Sequence, residues 1–134
     1  MNESLPTRMT SQEELWLRAE GTVEVQRLVS IAALGMCRAL ATGTVTSAYA
    51  CQRLFGPALL ARIEKLEAHA ELRHALHLAS ELEDVADLVP DKLADSIAEI
   101  ESKLSKILMD LAPSKMSGEK WLVKVPEAKQ PVGR

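Results

Sequence analysis

At 134 residues the chain suits a single domain with one core, and its 47% apolar content is enough to build that core. Ala and Leu supply most of the apolar residues and are strong helix formers, whereas aromatics number only four: Trp16, Tyr49, Phe55 and Trp121. The formal charge of −3 is unevenly spread: from Pro113 onward five bases outnumber two acids, which leaves −6 on residues 1–112. That acidic body argues against direct nucleic-acid binding, which needs Lys and Arg to neutralise phosphates, and suits a basic protein partner better.

Residues 1–9 read as a flexible N-terminus, followed by a bundle over 10–112 and a basic tail over 113–134. The start, Met-Asn-Glu-Ser-Leu-Pro-Thr-Arg, has no apolar signal region, so a cytoplasmic protein with two reduced thiols, Cys37 and Cys51, is expected. A capping box of Thr10 with Glu13, or of Ser11 with Glu14, predicts the start of a first helix. Leu15, Trp16 and Ala19 begin its apolar face, which Gly21 bends or interrupts. The face resumes at Val25, Leu28, Val29, Ala32, Met36 and Leu40. Leu28–Leu40 is apolar nearly all round, which predicts a central helix with neighbours on more than one face. It contains Arg38 and is too short to span a membrane. Ala32, Ala33, Gly35 and Ala39 would let neighbouring backbones come close, and Gly43 is placed to end the helix.

Thr46 is the expected N-cap of a short helix over 47–55, which Gly56-Pro57 closes. Residues 58–89 contain neither Gly nor Pro. Leu59, Leu60, Ile63 and Leu66 form one face, and Leu72, Ala75, Leu76, Ala79, Leu82, Val85 and Ala86 another. A joint near 68–70 would give two helices; a single bent helix is the alternative. Val89-Pro90 forces a boundary. Beyond it, Leu93, Ile97, Ile100, Leu104, Ile107 and Leu111 form a heptad seam. The tail is expected to be mobile, with a short strand in 121–125, where Trp121, Val123 and Val125 alternate. The fold class is therefore all-α: a single-domain bundle of about five helices around a long, all-round apolar central helix, with a mobile C-terminal tail.

Glu81, Glu83, Asp84, Asp87, Asp91 and Asp95 form an acidic run. With Leu82, Val85, Ala86 and Val89 turned inward, the carboxylates project outward. In a helix continuing to Val89, several would sit at the negative end of its dipole, an unfavourable placement of the kind that can mark a function. A solvated face is the plainer explanation. His74, His77 and Glu81 share a helix face that could hold a metal, but the spacing lacks the HExxH or Cys-rich pattern that makes such an assignment specific, so no metal and no cofactor are expected. Cys37 lies in the most apolar stretch, where burial blunts reactivity, and both thiols read as structural. The heptad seam is either the face packed on the core or the seam of a homodimer. No Gly-rich phosphate loop, Ser/His/Asp arrangement or Cys-x-x-Cys occurs, so no catalytic residue is assigned and no enzyme is expected.

Two segments carry a resemblance. Leu34-Gly-Met-Cys-Arg-Ala-Leu-Ala-Thr-Gly-Thr-Val-Thr-Ser-Ala, running on to Leu54-Phe55-Gly56-Pro57, is a helix, a Gly stop and a short Thr-capped helix. His77-Leu-Ala-Ser-Glu-Leu-Glu-Asp-Val-Ala-Asp-Leu-Val-Pro90 precedes the heptad helix. Together, over about Ile31 to Leu108, they resemble a small, uncharacterised bacterial all-helical family of presumed immunity proteins encoded beside polymorphic toxins. The resemblance implies a cytoplasmic inhibitor that binds and silences a cognate toxin with a basic surface; the acidic body and the short apolar stretch add the expectation of no nucleic acid and no membrane as partner. The partner-binding residues would be Glu81, Glu83, Asp84, Asp87 and Asp91. The alternative is a self-associating helical scaffold, a homodimer through the heptad helix.

Overall fold

The computed structural model describes residues 13–111 and 120–126. Within Gly21–Ser114 lie six helices, α1 (Thr22–Ala41), α2 (Ser47–Arg53), α3 (Pro57–Lys65), α4 (Ala70–Ser80), α5 (Leu82–Leu88) and α6 (Leu93–Asp110), with a 3-10 turn at Pro90–Lys92 between the last two. The all-α bundle is as expected, with six helices in place of about five.

The ends of α1 are set by glycine. Gly21, at φ 90, precedes the first turn, and Gly43, at φ 77, follows the last; both are left-handed positions that L side chains rarely adopt. Gly21 is thus the boundary of the helix and not a bend within it. Residues 14–20, expected to open the first helix, are extended or irregular, and Thr10 and Ser11 lie outside the described residues. At α2, Thr46 Oγ1 accepts a hydrogen bond from the Tyr49 backbone N at 3.0 Å, as an N-cap should.

Residues 57–88 divide twice. The first joint follows Lys65: Glu67 takes φ 52, and His69 caps α4, its Nδ1 accepting from the Glu71 N at 3.1 Å. The second joint falls at Glu81, where no Gly or Pro marks it. There the Ser80 hydroxyl donates to the His77 carbonyl at 2.7 Å, and Glu81 leaves helical geometry at φ −98, ψ 1. Such hydroxyl bonds to the preceding turn compete with helix continuation.

α6 packs against both α1 and α4. Arg27 on the first turns of α1 donates to the Leu111 carbonyl, and Arg38 near its end pairs with Glu101, so α1 and α6 run antiparallel. The seam residues Ile97, Ile100, Leu104 and Ile107 are all buried between these helices, together with Ala33 and Cys37 of α1 and Leu72, Leu76 and Ala79 of α4. Gln26 is also buried. Its Oε1 accepts from the His69 N at 2.7 Å and its Nε2 donates to the Thr22 carbonyl, so one amide ties α1 to the start of α4.

A second unit, drawn from Met1–Glu20 and Lys115–Arg134, holds an antiparallel strand pair. β1 (Trp16–Leu17) pairs with β2 (Leu122–Val123) in the register Trp16 to Val123 and Leu17 to Leu122. The Arg18 N extends the ladder by donating to the Trp121 carbonyl at 2.7 Å. The strand lies in the alternating segment 121–125, and its partner is the stretch that reads as helical in the sequence. The remainder of the tail, 112–119 and 127–134, and the N-terminal segment 1–9 lie outside the described residues.

Candidate interaction surface

The acidic corner is built by the second joint and the Val89-Pro90 boundary. Glu81, Glu83, Asp84, Asp87, Asp91 and Asp95 are all exposed. α5 turns Leu82 into the core, where it is fully buried, and so directs its carboxylates outward. Elsewhere Glu64, Glu71, Glu101 and Asp110 each lie within ion-pair distance of Arg, Lys or His; among the described residues none of the six corner acids does. Beside them the end of α5 exposes two large apolar side chains, Leu88 at 77% and Val89 at 47%.

The break at Glu81 alters the electrostatics expected of this run. Glu83 and Asp84 fall in the first turn of α5, and Asp95 in the first turn of α6. These are positive ends of helix dipoles, where a carboxylate is stabilised by ~0.3–1 kcal/mol when exposed. The expected placement at a helix C-terminus is therefore corrected for Glu83 and Asp84. What sets the corner apart is its lack of basic partners among the described residues and its apolar tip, Leu88-Val89. Helical period over 82–89 places Val89 inward, but Val89 lies past the end of α5, at φ −140 and ψ 66 before Pro90, and is exposed.

The remaining candidates resolve into structural roles. His77 Nε2 lies 3.6 Å from Glu64 Oε2 on α3, His69 Nε2 lies 3.5 Å from Asp110 Oδ2 on α6, and Glu81 closes α4. Among the described residues no group of three or more His, Cys, Asp or Glu side chains is placed to hold a metal ion. Cys37 is fully buried, and burial, with the nearby Glu101 carboxylate, pushes its thiol from 9.0 up to about 12. Cys51 is half-buried and its thiol is also raised by burial; its Sγ points at the Ala79 and Ser80 carbonyls at 3.7 and 3.9 Å. The heptad seam is core: Leu104 has no exposed surface, so this stripe cannot meet a second copy while the bundle is folded.

One face of α1 is open. Solvent reaches Ile31, Ala32 and Gly35, and with Ala98, Glu101, Ser102 and Ser105 of α6 the Ile31, Leu34, Gly35 and Arg38 side of α1 lines a shallow groove of about 630 Å³. Among the described residues, no helix is long and apolar enough to cross a membrane.

These features define an all-α protein whose distinctive chemistry lies on two outer surfaces, an acidic corner with no basic partner among the described residues and an α1/α6 face that solvent reaches. The chain belongs to the DUF3969 family, described as proteins of unknown function; the family model matches residues 20–123. No curated protein and no solved structure matches the chain.

Proposed function

We propose that the chain is an immunity-type binding protein that silences a cognate toxin by covering a basic surface on it with the acidic corner. The observation that carries this reading is the corner itself: exposed carboxylates without cationic partners among the described residues, placed beside the exposed Leu88 and Val89. Interfaces of this type combine an apolar anchor, which loses water on binding, with a charged rim that steers the encounter. Glu81, Glu83, Asp84, Asp87 and Asp91 supply the rim. The segment resemblance around Glu81–Pro90 supports the toxin class of partner. The mechanism is occlusion and needs no chemical step on this chain.

The test is binding kinetics with the product of the neighbouring gene. The double reversal Asp84→Lys/Asp87→Lys changes the corner by four charges on exposed sites and leaves the core untouched. It is expected to lower the association rate by ~10–100-fold at low salt and to flatten its dependence on ionic strength. Association kinetics equal to wild type at every salt concentration would sink the acidic-corner mechanism. Loss of affinity in Leu88→Ser, with the association rate unchanged, would assign the apolar tip its anchoring part.

A further inference from the structure

We infer that His69 is a pH-dependent switch at the joint between α3 and α4: with Nδ1 bare it caps α4, and with Nδ1 protonated it gives up the cap and ties α4 to α6 through Asp110. The inference is independent of the acidic corner and of any toxin.

Three helices meet at this residue. The His69 N donates to Gln26 Oε1 on α1 at 2.7 Å, and the His69 carbonyl accepts from the Arg73 N of α4 at 3.1 Å. The ring itself reaches two ways. Nδ1 accepts from the Glu71 N at 3.1 Å, and Nε2 lies 3.5 Å from Asp110 Oδ2 on α6. The side chain is 29% exposed, so protons from solvent reach it. Two residues earlier Glu67 stands at φ 52, a left-handed conformation that a side chain disfavours. α4 thus starts beside a strained residue, and the ring satisfies one N–H of its first turn.

Imidazole chemistry sets the two contacts against each other. A ring nitrogen that accepts a hydrogen bond carries no proton, so the cap needs Nδ1 bare and leaves the ring proton on Nε2, toward Asp110. A second proton must go to Nδ1. There it meets the Glu71 N–H, donor against donor, and the cap is lost. The same proton charges the ring, and its contact with the Asp110 carboxylate becomes an ion pair. One protonation thus moves the hold of His69 from the start of α4 to the contact between α4 and α6. The other charged groups packed around the joint have partners of their own. The Glu71 carboxylate pairs with Lys103 of α6 at 3.4 Å, and Arg73 of α4 with Glu64 of α3 at 3.7 Å. Arg27 of α1 pairs with Glu24 at 3.8 Å and donates to the Leu111 carbonyl at 3.3 Å. Lys106 of α6 lines one cleft with Glu71, Lys103 and Asp110. Gln26, the contact from α1, is uncharged, so its bond to the His69 N is the same in both states.

The experiment is amide exchange of the full chain by NMR at about pH 8 and about pH 5, the range over which histidine changes charge, with each rate referred to its intrinsic rate at that pH. Circular dichroism at both values follows the fold. Protection of the Glu71 N–H, and of the Arg73 N–H that bonds the His69 carbonyl, is expected to fall about fivefold at the lower pH, the weight of a typical N-cap. His69→Asn keeps a capping side chain without a titrating ring, and is expected to hold the protection of both amides level. The coupling between His69 and Asp110 is measured by urea unfolding of His69→Asn, Asp110→Asn and the double variant, and is expected to grow from the higher pH to the lower. Equal protection of Glu71 at the two pH values in wild type overturns the inference. A fall of the same size in His69→Asn also overturns it, because the titrating group then lies elsewhere. So does a coupling that is the same at both values, and so does loss of the helical signal at the lower pH, since the exchange of contacts leaves α4 docked.

Discussion

Leu104→Ala separates core from interface on α6. Leu104 is fully buried at the middle of the stripe Ile97, Ile100, Leu104 and Ile107, between α1 and α4. The substitution removes three carbons, worth ~0.8 kcal/mol each in transfer, and leaves a cavity that close packing on both sides keeps from collapsing. The expected loss is ~3–4 kcal/mol, out of the ~5–15 kcal/mol that holds a domain of this size folded. The melting temperature should fall by roughly 15–25 °C. Urea unfolding followed by far-ultraviolet circular dichroism is the assay. The midpoint should drop with the slope unchanged, since the same surface is exposed on unfolding. Met109→Ala, on the same helix but 77% exposed, is the control and should cost under ~0.5 kcal/mol. A loss under ~1 kcal/mol at Leu104, or equal losses at the two sites, would refute the assignment of the seam to the core.

Three further outcomes follow from individual side chains. Gln26→Met keeps the volume but leaves the part-buried His69 N–H without its acceptor, and should cost ~1–3 kcal/mol in the same urea assay; a neutral result would mean that water replaces the amide. Thr46→Ala removes the α2 cap and should cost ~1 kcal/mol, whereas Thr46→Ser should be close to neutral. The Cys37 thiol is held protonated by burial, with the folded value raised from 9.0 to about 12. Its contribution is therefore fully present below pH 9 and is lost as pH rises toward 12, because the unfolded chain gives up the proton first. Cys37→Ala should flatten the fall in stability between neutral pH and about pH 10; identical slopes in the two proteins would count against a protonated buried thiol.

The sequence by itself determined the helices whose ends carry local chemistry. Gly43, Thr46, Gly56-Pro57 and Val89-Pro90 mark boundaries through backbone conformation, a capping hydroxyl or a missing N–H, and each acts within a few residues. The heptad stripe of α6 was legible for the same reason, because helical period places its apolar residues on one side whatever they meet. Of the candidate site, the acids and their outward direction on α5 were legible, since burial of Leu82 follows from the same period.

Tertiary structure decided the rest. The stretch 15–20 has the spacing of a helix, but Trp16–Leu17 forms a strand with Leu122–Val123, more than a hundred residues away, and no local pattern can report so distant a partner. At the break at Glu81 the Ser80 hydroxyl bonds the His77 carbonyl, and no Gly or Pro marks the boundary in the sequence. The break places Glu83 and Asp84 at the start of a helix instead of near the end of one. The all-round apolar character of Leu28–Leu40 was plain in the residues. Which of its sides would be covered was not, because apolar periodicity states that a surface prefers to be buried and leaves open what buries it. α6 and α2 cover one part, and Ile31, Gly35 and Arg38 remain on the open face.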